Sequence, residues 1–446
     1  MQMKKVTSIL FVLIVVTLLS ACLSDQDDNE GVTLATLTIA IDGVDQQEGL
    51  EVKLTNTSTA TTFLGTTDAQ GTAVFHVTPG IYEAIVSVVR YIDGQKYIYN
   101  GVRSNIVLSS QQANVATIAV KESHSSQVII KELYSGGCLD NKGKSFQYDK
   151  CIILYNNSAG QAVLPNLCFG IVSPYNGNGN NGNYDNDGVL TYEKEGFLPA
   201  IHGIWWFQNT LTIEPYQQVV VNICGAVDNT QTATQSVNYA NPDYYCMYDP
   251  KSGYDNTSYY PTPSILIPTD HYLKARELGI GNGWTFSVTS PAVFIFQVKG
   301  TTPQDFSANA DNIWYDAGKT TQIYTCLKVP FDWVVDGMEV YQKTKVDDSR
   351  KRMPSVVDAG YVTLTNYQGH ALYRNVDKEA TEALPENEGK LVYGYNLGTE
   401  YPEGVSTDPS GIDAEASMKQ GAHIIFKDTN NSTVDFHERQ QCSLKN

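Results

Sequence analysis

Three groups of residues in this chain have the types and spacing to do chemistry. Cys22 follows Leu19, Ser20 and Ala21, so its thiol stands behind small residues at the end of an apolar stretch, where it can be acylated. Asn183, Asp185 and Asp187 alternate just ahead of Gly188, oxygen donors at the spacing that opens a calcium loop. The twelfth position of that loop is Lys194 instead of Glu, with Glu193 and Glu195 on either side. The plainer reading of Tyr175–Gly188 is a flexible polar loop whose Asn and Gly residues tolerate positive φ. Third come the aromatic rings: Trp205, Trp206 and Phe207, then Tyr239, Tyr244, Tyr245, Tyr248, Tyr254, Tyr259 and Tyr260 in an Asn/Pro/Ser-rich stretch. Rigid flat rings suit a glycan, peptide or protein ligand. They equally suit clamping a long loop onto a core, since an ordered long loop needs apolar anchors of its own.

Catalytic constellations are missing from the sequence. It has no H-E-x-x-H, no G-x-S-x-G and no G-x-x-x-x-G-K. The seven histidines are scattered, and His437 beside Glu438 has no metal-ligand spacing. The expectation is a non-enzyme without catalytic residues. Two carboxylates meeting from distant strands on a glycan remain the one catalytic alternative. A formal net charge of −18 repels phosphate backbones, and no Lys/Arg patch offsets it, so nucleic acid is excluded as a partner.

The elements that must position these residues begin with the first 21. Lys4 and Lys5 give a positive head, an apolar core runs from Ile9 to Leu19, and small residues precede Cys22. These are the parts of a secretory signal, and the core is too short to span a bilayer comfortably. Leu-Ser-Ala-Cys resembles a bacterial lipobox, which implies cleavage before Cys22 and lipid attachment to it. Removing residues 1–21, with Lys4 and Lys5, leaves 425 residues and takes the net charge to −20. Residues 22–32 read as an acidic flexible tether; Ser24, Asp25, Asp27 and Asp28 resemble the surface-export signal of Bacteroides-type lipoproteins. Leu23 in place of Asp favours the outer membrane. Seven further cysteines, with no C-x-x-C pair, predict one or two disulfides that the sequence cannot pair.

Low charge content with abundant Tyr and Gly predicts an all-β chain. In residues 33–121, Leu37, Ile39 and Ile41, then Ala73, Phe75 and Val77, then Tyr82, Ala84, Val86 and Val88 alternate with polar partners. Thr67–Phe75 followed by Pro79–Tyr82 resembles the carboxypeptidase regulatory-like, or prealbumin-like, repeat, which implies a small non-catalytic β-sandwich. In residues 122–446, Gln127–Tyr134 and Asp149–Asn157 resemble the lamin-tail type of immunoglobulin-like β-sandwich. Lys131 and Ile153 depart from its usual Asn and Glu. Leu211–Ile223, Lys328–Val340, Gly369–Arg374 and Asp428–Phe436 add to a resemblance to an exported Bacteroides-type family known only as a domain of unknown function. Long insertions fall near 175–195 and 225–285, and Thr269–Leu278 is the best helix candidate, with Thr269 or Asp270 as its cap and Gly279 after it.

Together these readings predict a surface-exposed outer-membrane lipoprotein, lipid-anchored at Cys22, acting as a non-catalytic binding or adhesion subunit. Its expected partner is an outer-membrane, TonB-dependent transporter in nutrient capture, with a glycan, peptide or metal complex as ligand. The alternative is a structural spacer or surface-layer component without a small ligand. Expected ligand contacts are Trp205, Trp206, Tyr244, Tyr245, Tyr259 and Tyr260. Calcium at Asn183, Asp185 and Asp187 is the one cofactor the sequence raises.

Overall fold

Period-two alternation in Ala35–Asp42 buries Leu37, Ile39 and Ile41 and turns Thr36 and Thr38 away from them. The computed structural model describes residues 34–445 except 45–46, 60, 93–94, 111–113, 125, 317–318, 320 and 400–407. Cys22, the leader and the acidic tether lie outside the described residues. Ala35–Asp42 is the middle strand of three, antiparallel to Thr72–Val77 and parallel to Asn114–Ala119. A second sheet runs in the order Thr62–Thr66, Glu51–Asn56, Gly80–Ile92, Gln95–Leu108, Lys121–His124. Leu37, Ile39, Val52, Leu54, Phe75, Tyr82 and Ile118 share the core of these two sheets. Local turn chemistry fixes the connections. Asp68 accepts the backbone N–H groups of Gln70 (3.0 Å) and Thr72 (2.9 Å), and Tyr82 donates its hydroxyl to Thr78 O at 2.7 Å.

The larger sandwich is built from two six-stranded sheets. One runs Tyr245–Cys246, Gln218–Asn222, Cys151–Asn156, Val128–Tyr134, Ala371–Arg374, Phe436–Arg439. The other runs Lys274–Glu277, Gly203–Trp206, Leu167–Ile171, Ala292–Gln297, Val334–Gln342, Val362–Leu364. Leu133, Ile152, Leu154, Phe169, Trp205, Ile295, Val340 and Leu372 fill the space between them. Val128–Tyr134 and Cys151–Asn156 are buried at every position, without alternation. The reason lies on their outer faces. Insertions cover the first sheet with Tyr216, Ile412, Ile424 and Phe426, and the second with Leu198, Phe306, Leu327 and Met353. Apolar residues are therefore needed on both sides of these strands. Among the described residues strands in several sheets dominate the regular structure, and the α-helices are pieces of four to six residues, an all-β sandwich fold.

Two bulges break the ladders of the larger sandwich, and each brings a charged side chain inside. Ile153 pairs with Glu132 while Leu154 pairs with Ile130, leaving Lys131 as the extra residue. Ile295 pairs with Asp336 while Phe296 pairs with Val334, leaving Val335 extra beside Asp336. Lys131 is almost fully buried; its ammonium reaches Gln218 Oε1 (2.6 Å) and Glu415 (3.1 Å). Glu415 also pairs with Arg439 at 2.6 Å, whose guanidinium lies 3.2 Å from the centre of the Tyr373 ring. Asp336 pairs with Arg374, which also faces Asp428 and Asp435 at 3.4 and 3.5 Å. A third buried pair, Arg352 with Glu339, closes at 2.7 Å.

One expectation changes here. Thr269–Leu278 is not a helix: Thr269–His271 makes one 3-10 turn, and Lys274–Glu277 becomes an edge strand against Gly203–Trp206. Cross-strand pairing outweighs the local helix preference. The seven cysteines from Cys138 to Cys442 are all buried.

Candidate functional site

The aromatic insertion does not form one binding face, because the sheet into which it is woven is covered on both sides. Gly203–Trp206 lies between Leu167–Ile171 and Lys274–Glu277, so successive side chains enter opposite cores. Trp205 has no exposure and stacks on Tyr254 with centroids 5.3 Å apart, Tyr260 tilted beside it at 5.5 Å. Trp206 points the other way, toward Leu198 and Phe294. Tyr260 is buried and its hydroxyl accepts the Trp284 N–H at 3.0 Å. These three expected ligand contacts are core residues, a correction: Gly203–Trp206 is buried at every position, and Tyr260 packs into the same core as Trp205. Tyr259 is half-buried, edge-on to Tyr148 at 5.3 Å with the Lys150 ammonium 5.5 Å from its ring centre. Tyr244 is half-buried against Val220, Val237 and Cys442.

Tyr245 is the expected contact that remains at a cleft. Phe207, Gln208, Asn209, Thr210, Leu211, Tyr245, Asp270 and His271 line a small, open depression. The end of Gly203–Trp206, the turn into Leu211–Ile213 and the 3-10 turn Thr269–His271 supply its walls. Tyr245 stacks on His271 with ring centroids 4.1 Å apart and planes within 17°, and Phe207 meets Tyr245 edge-on at 5.1 Å. His271 Nδ1 lies 3.2 Å from Tyr244 O, and Gln208 donates to Thr269 O at 2.9 Å, which fixes the turn. Burial pushes the Tyr245 phenol up, and the nearby charge of Asp270 adds to that. The phenol therefore stays protonated at neutral pH, a donor beside an exposed carboxylate. This arrangement can stack and hydrogen-bond a ring-bearing polar ligand. It holds a single carboxylate, so the two-carboxylate chemistry of glycan hydrolysis has no second partner in the cleft.

The calcium-like loop satisfies itself with protein groups. Asp185 Oδ1 accepts the N–H of Asp187 and of Val189, both at 2.9 Å, and its other oxygen holds the Lys194 ammonium. The Lys194 hydrogen bond, foremost, holds the Asp185 carboxyl below its usual range. Asn183 is buried and turns its amide nitrogen, a donor, toward Asp316 at 3.3 Å. The Asp185 oxygens that suited calcium in sequence thus serve a turn that leads into the short helix Thr191–Glu195. Among the described residues no three His, Cys, Asp or Glu side chains gather as a metal site. His437 and Glu438 face apart: His437 meets Asn375 at 2.7 Å, and Glu438 meets His370 at 2.9 Å.

Sequence reasoning passed over Phe207 as part of this cleft, and over Asp270 and His271, which it placed in or beside a helix. Only the turn-forming Gln208-Asn209-Thr210 after an apolar strand hinted at an exposed wall.

Residues 214–394 match the family model of DUF4876, a protein family of unknown function. That stretch holds Tyr245, Asp270 and His271, the tyrosines from Tyr239 to Tyr260, and four of the six strands of the sheet that contains Gly203–Trp206. The crystal structure of a DUF4876 family protein from Bacteroides thetaiotaomicron VPI-5482 is similar over 90% of this chain and 94% of that one. Its TM-score is 0.51 at 19% sequence identity, a likeness of fold. A comparison with curated proteins gives no match.

Proposed function

We propose that the whole chain is a DUF4876-type, surface-exposed outer-membrane lipoprotein. It is anchored through Cys22 and acts without catalysis as a binding subunit beside a TonB-dependent transporter. The observation that carries this reading is the run from Lys4 to Cys22: positive head, short apolar core and Leu-Ser-Ala-Cys. The prealbumin-like and lamin-tail-like characters of the two sandwiches are part of the proposal. Ligand contact is assigned to the cleft of Tyr245, His271, Phe207 and Asp270, where a glycan, peptide or metal complex would stack on Tyr245 or bond to Asp270. Glu415 and Glu438, whose carboxyls are held low, sit in ion pairs away from the cleft.

One observation favours the second reading, a spacer or surface-layer component. The burial of Trp205, Trp206 and Tyr260 leaves a small, open cleft. The two readings separate by calorimetry of glycans and peptides against the full chain and against Tyr245→Ala. A capture subunit binds one ligand class and loses at least tenfold in affinity with the variant. A spacer binds none of them and co-purifies with no transporter. Protease treatment of intact cells should degrade the protein in either case, and full protection would refute surface exposure.

A further inference from the structure

The sequence could not pair the cysteines, but the fold brings two of them together. Cys151 and Cys442 are 291 positions apart in the chain, yet both are fully buried in one small cluster with Tyr134, Ile153, Val237, Tyr239 and Ala371. Their side chains pack into that one cluster, on the face of the sheet where Ser443, next to Cys442, meets Glu132. Cys151 is fixed on both sides, opposite Tyr134 on one neighbouring strand and Asn222 on the other. Cys442 is fixed by the residue after it. Ser443 donates its N–H to Glu132 Oε1 at 2.9 Å and its hydroxyl to Glu132 Oε2, and Lys445 reaches Gln235 O at 2.6 Å. Four of the other thiols are turned to oxygen atoms instead: Cys138 to Asp149, Cys168 to Asn166 O, Cys224 to Gln147 O and Cys326 to Tyr324 O. Cys246 packs in a separate cluster with Ala226 and Ile267.

We infer that Cys151 and Cys442 form a disulfide that staples the C-terminal segment to the middle of the first sheet. One S–S bond forms, and two S–H bonds are lost. The two electrons and two protons pass to a disulfide-bearing oxidant, glutathione disulfide or a protein disulfide, which leaves as two thiols. Both thiols are inaccessible once the segment has docked, so exchange happens as residues 440–445 close over Cys151, and the finished bond is shielded from reductants. The bridge shares with the proposed function only its need for an oxidising compartment.

The test uses the full chain in two forms. One is taken from the membranes of its own cells under N-ethylmaleimide; the other is made reduced and refolded in glutathione redox buffer. Each is alkylated in denaturant, digested without reductant and analysed by mass spectrometry. The expected result for both is a linked peptide pair containing Cys151 and Cys442, with the five other cysteines downstream of Cys22 alkylated. A bridge in the refolded form alone upholds the pairing and overturns export to an oxidising compartment. Full alkylation of Cys151 and Cys442 after refolding, or linkage of either to another cysteine, overturns the inference. As a second readout, oxidised wild type should unfold at higher urea than its reduced form, and Cys442→Ala should show no such difference.

Discussion

Replacing Glu339 by Gln should destabilise the larger sandwich by about 3–5 kcal/mol, the usual cost of breaking a buried ion pair by removing one partner. The structure shows why the loss should be this large. Glu339 and Arg352 are both without exposure, and Arg352 Nε donates to Glu339 Oε1 at 2.7 Å. Glu339 Oε2 accepts two backbone N–H groups, those of Arg352 and Met353, each at 2.9 Å, with the Lys351 ammonium at 3.4 Å. Burial alone would raise the Glu339 carboxyl, but Arg352 and then Lys351 outweigh it and hold it below its usual value. Glutamine carries one oxygen. Whichever way its amide turns, an NH₂ group faces either the guanidinium or two backbone donors, and the arginine charge stays buried without its counter-ion. The pair also anchors the Asn/Gly loop. Arg352 Nη1 donates to Pro174 O at 3.0 Å, while Tyr184 and Tyr192 donate to Lys351 O and Arg352 O, both at 2.6 Å. All five tryptophans, Trp205, Trp206, Trp284, Trp314 and Trp333, lie in the larger sandwich, so their fluorescence in urea reports its unfolding alone. Extrapolated stabilities give the difference. A loss below about 1 kcal/mol, with no faster proteolysis within residues 175–188, would refute the buried, ion-paired arrangement.

Three further outcomes follow from the same geometry. Trp205→Ala removes a fully buried ring stacked on Tyr254 and should cost about 3–5 kcal/mol in urea unfolding, whereas Tyr245→Ala at the cleft should cost far less. Equal losses for the two would place Tyr245 in the core. Burial raises the Glu438 carboxyl, but hydrogen bonds from His370 and Thr365, with the charge of Lys343, outweigh this and bring it to about 2. Its stabilisation is therefore complete above its ordinary value of 4.5 and is lost as pH falls toward 2, because the unfolded chain binds that proton first. Glu438→Gln should flatten this acid limb in pH-dependent urea midpoints, and an unchanged limb would refute the assignment. Added calcium should leave the Tm of the wild type unchanged, since Lys194 already occupies Asp185; a clear rise in Tm that Asp185→Asn abolishes would restore the calcium reading.

The first sandwich was legible because its strands bury one face only. Leu37, Ile39 and Ile41 write their side of the sheet into the sequence. In the second sandwich the strands themselves were legible as apolar runs, Val128–Tyr134 and Cys151–Asn156 among them, but their roles were not. A run buried on both faces carries no sign of which residue meets which core, so Trp205 and Trp206 read as a binding face while entering two different interiors. Thr269–Glu277 shows the opposite failure, a good local cap overridden by pairing with a strand some 70 residues earlier in the chain. The ion pairs stayed hidden because their members are distant in sequence: Lys131 with Glu415, and Arg374 with Asp336 and Asp435. The cleft was half legible. Tyr245 announced itself as an aromatic ring, but His271 gains its meaning only when the 3-10 turn stacks it on that ring.

The proposed place at the cell envelope rests on lipid carried by Cys22. Mass spectrometry of the N-terminal peptide from the membrane fraction tests it directly. The expected product is a chain beginning at Cys22 with a diacylglyceryl group on sulfur, and no such species from Cys22→Ala. An N-terminus upstream of Cys22, or a Cys22 of unmodified mass, would contradict it.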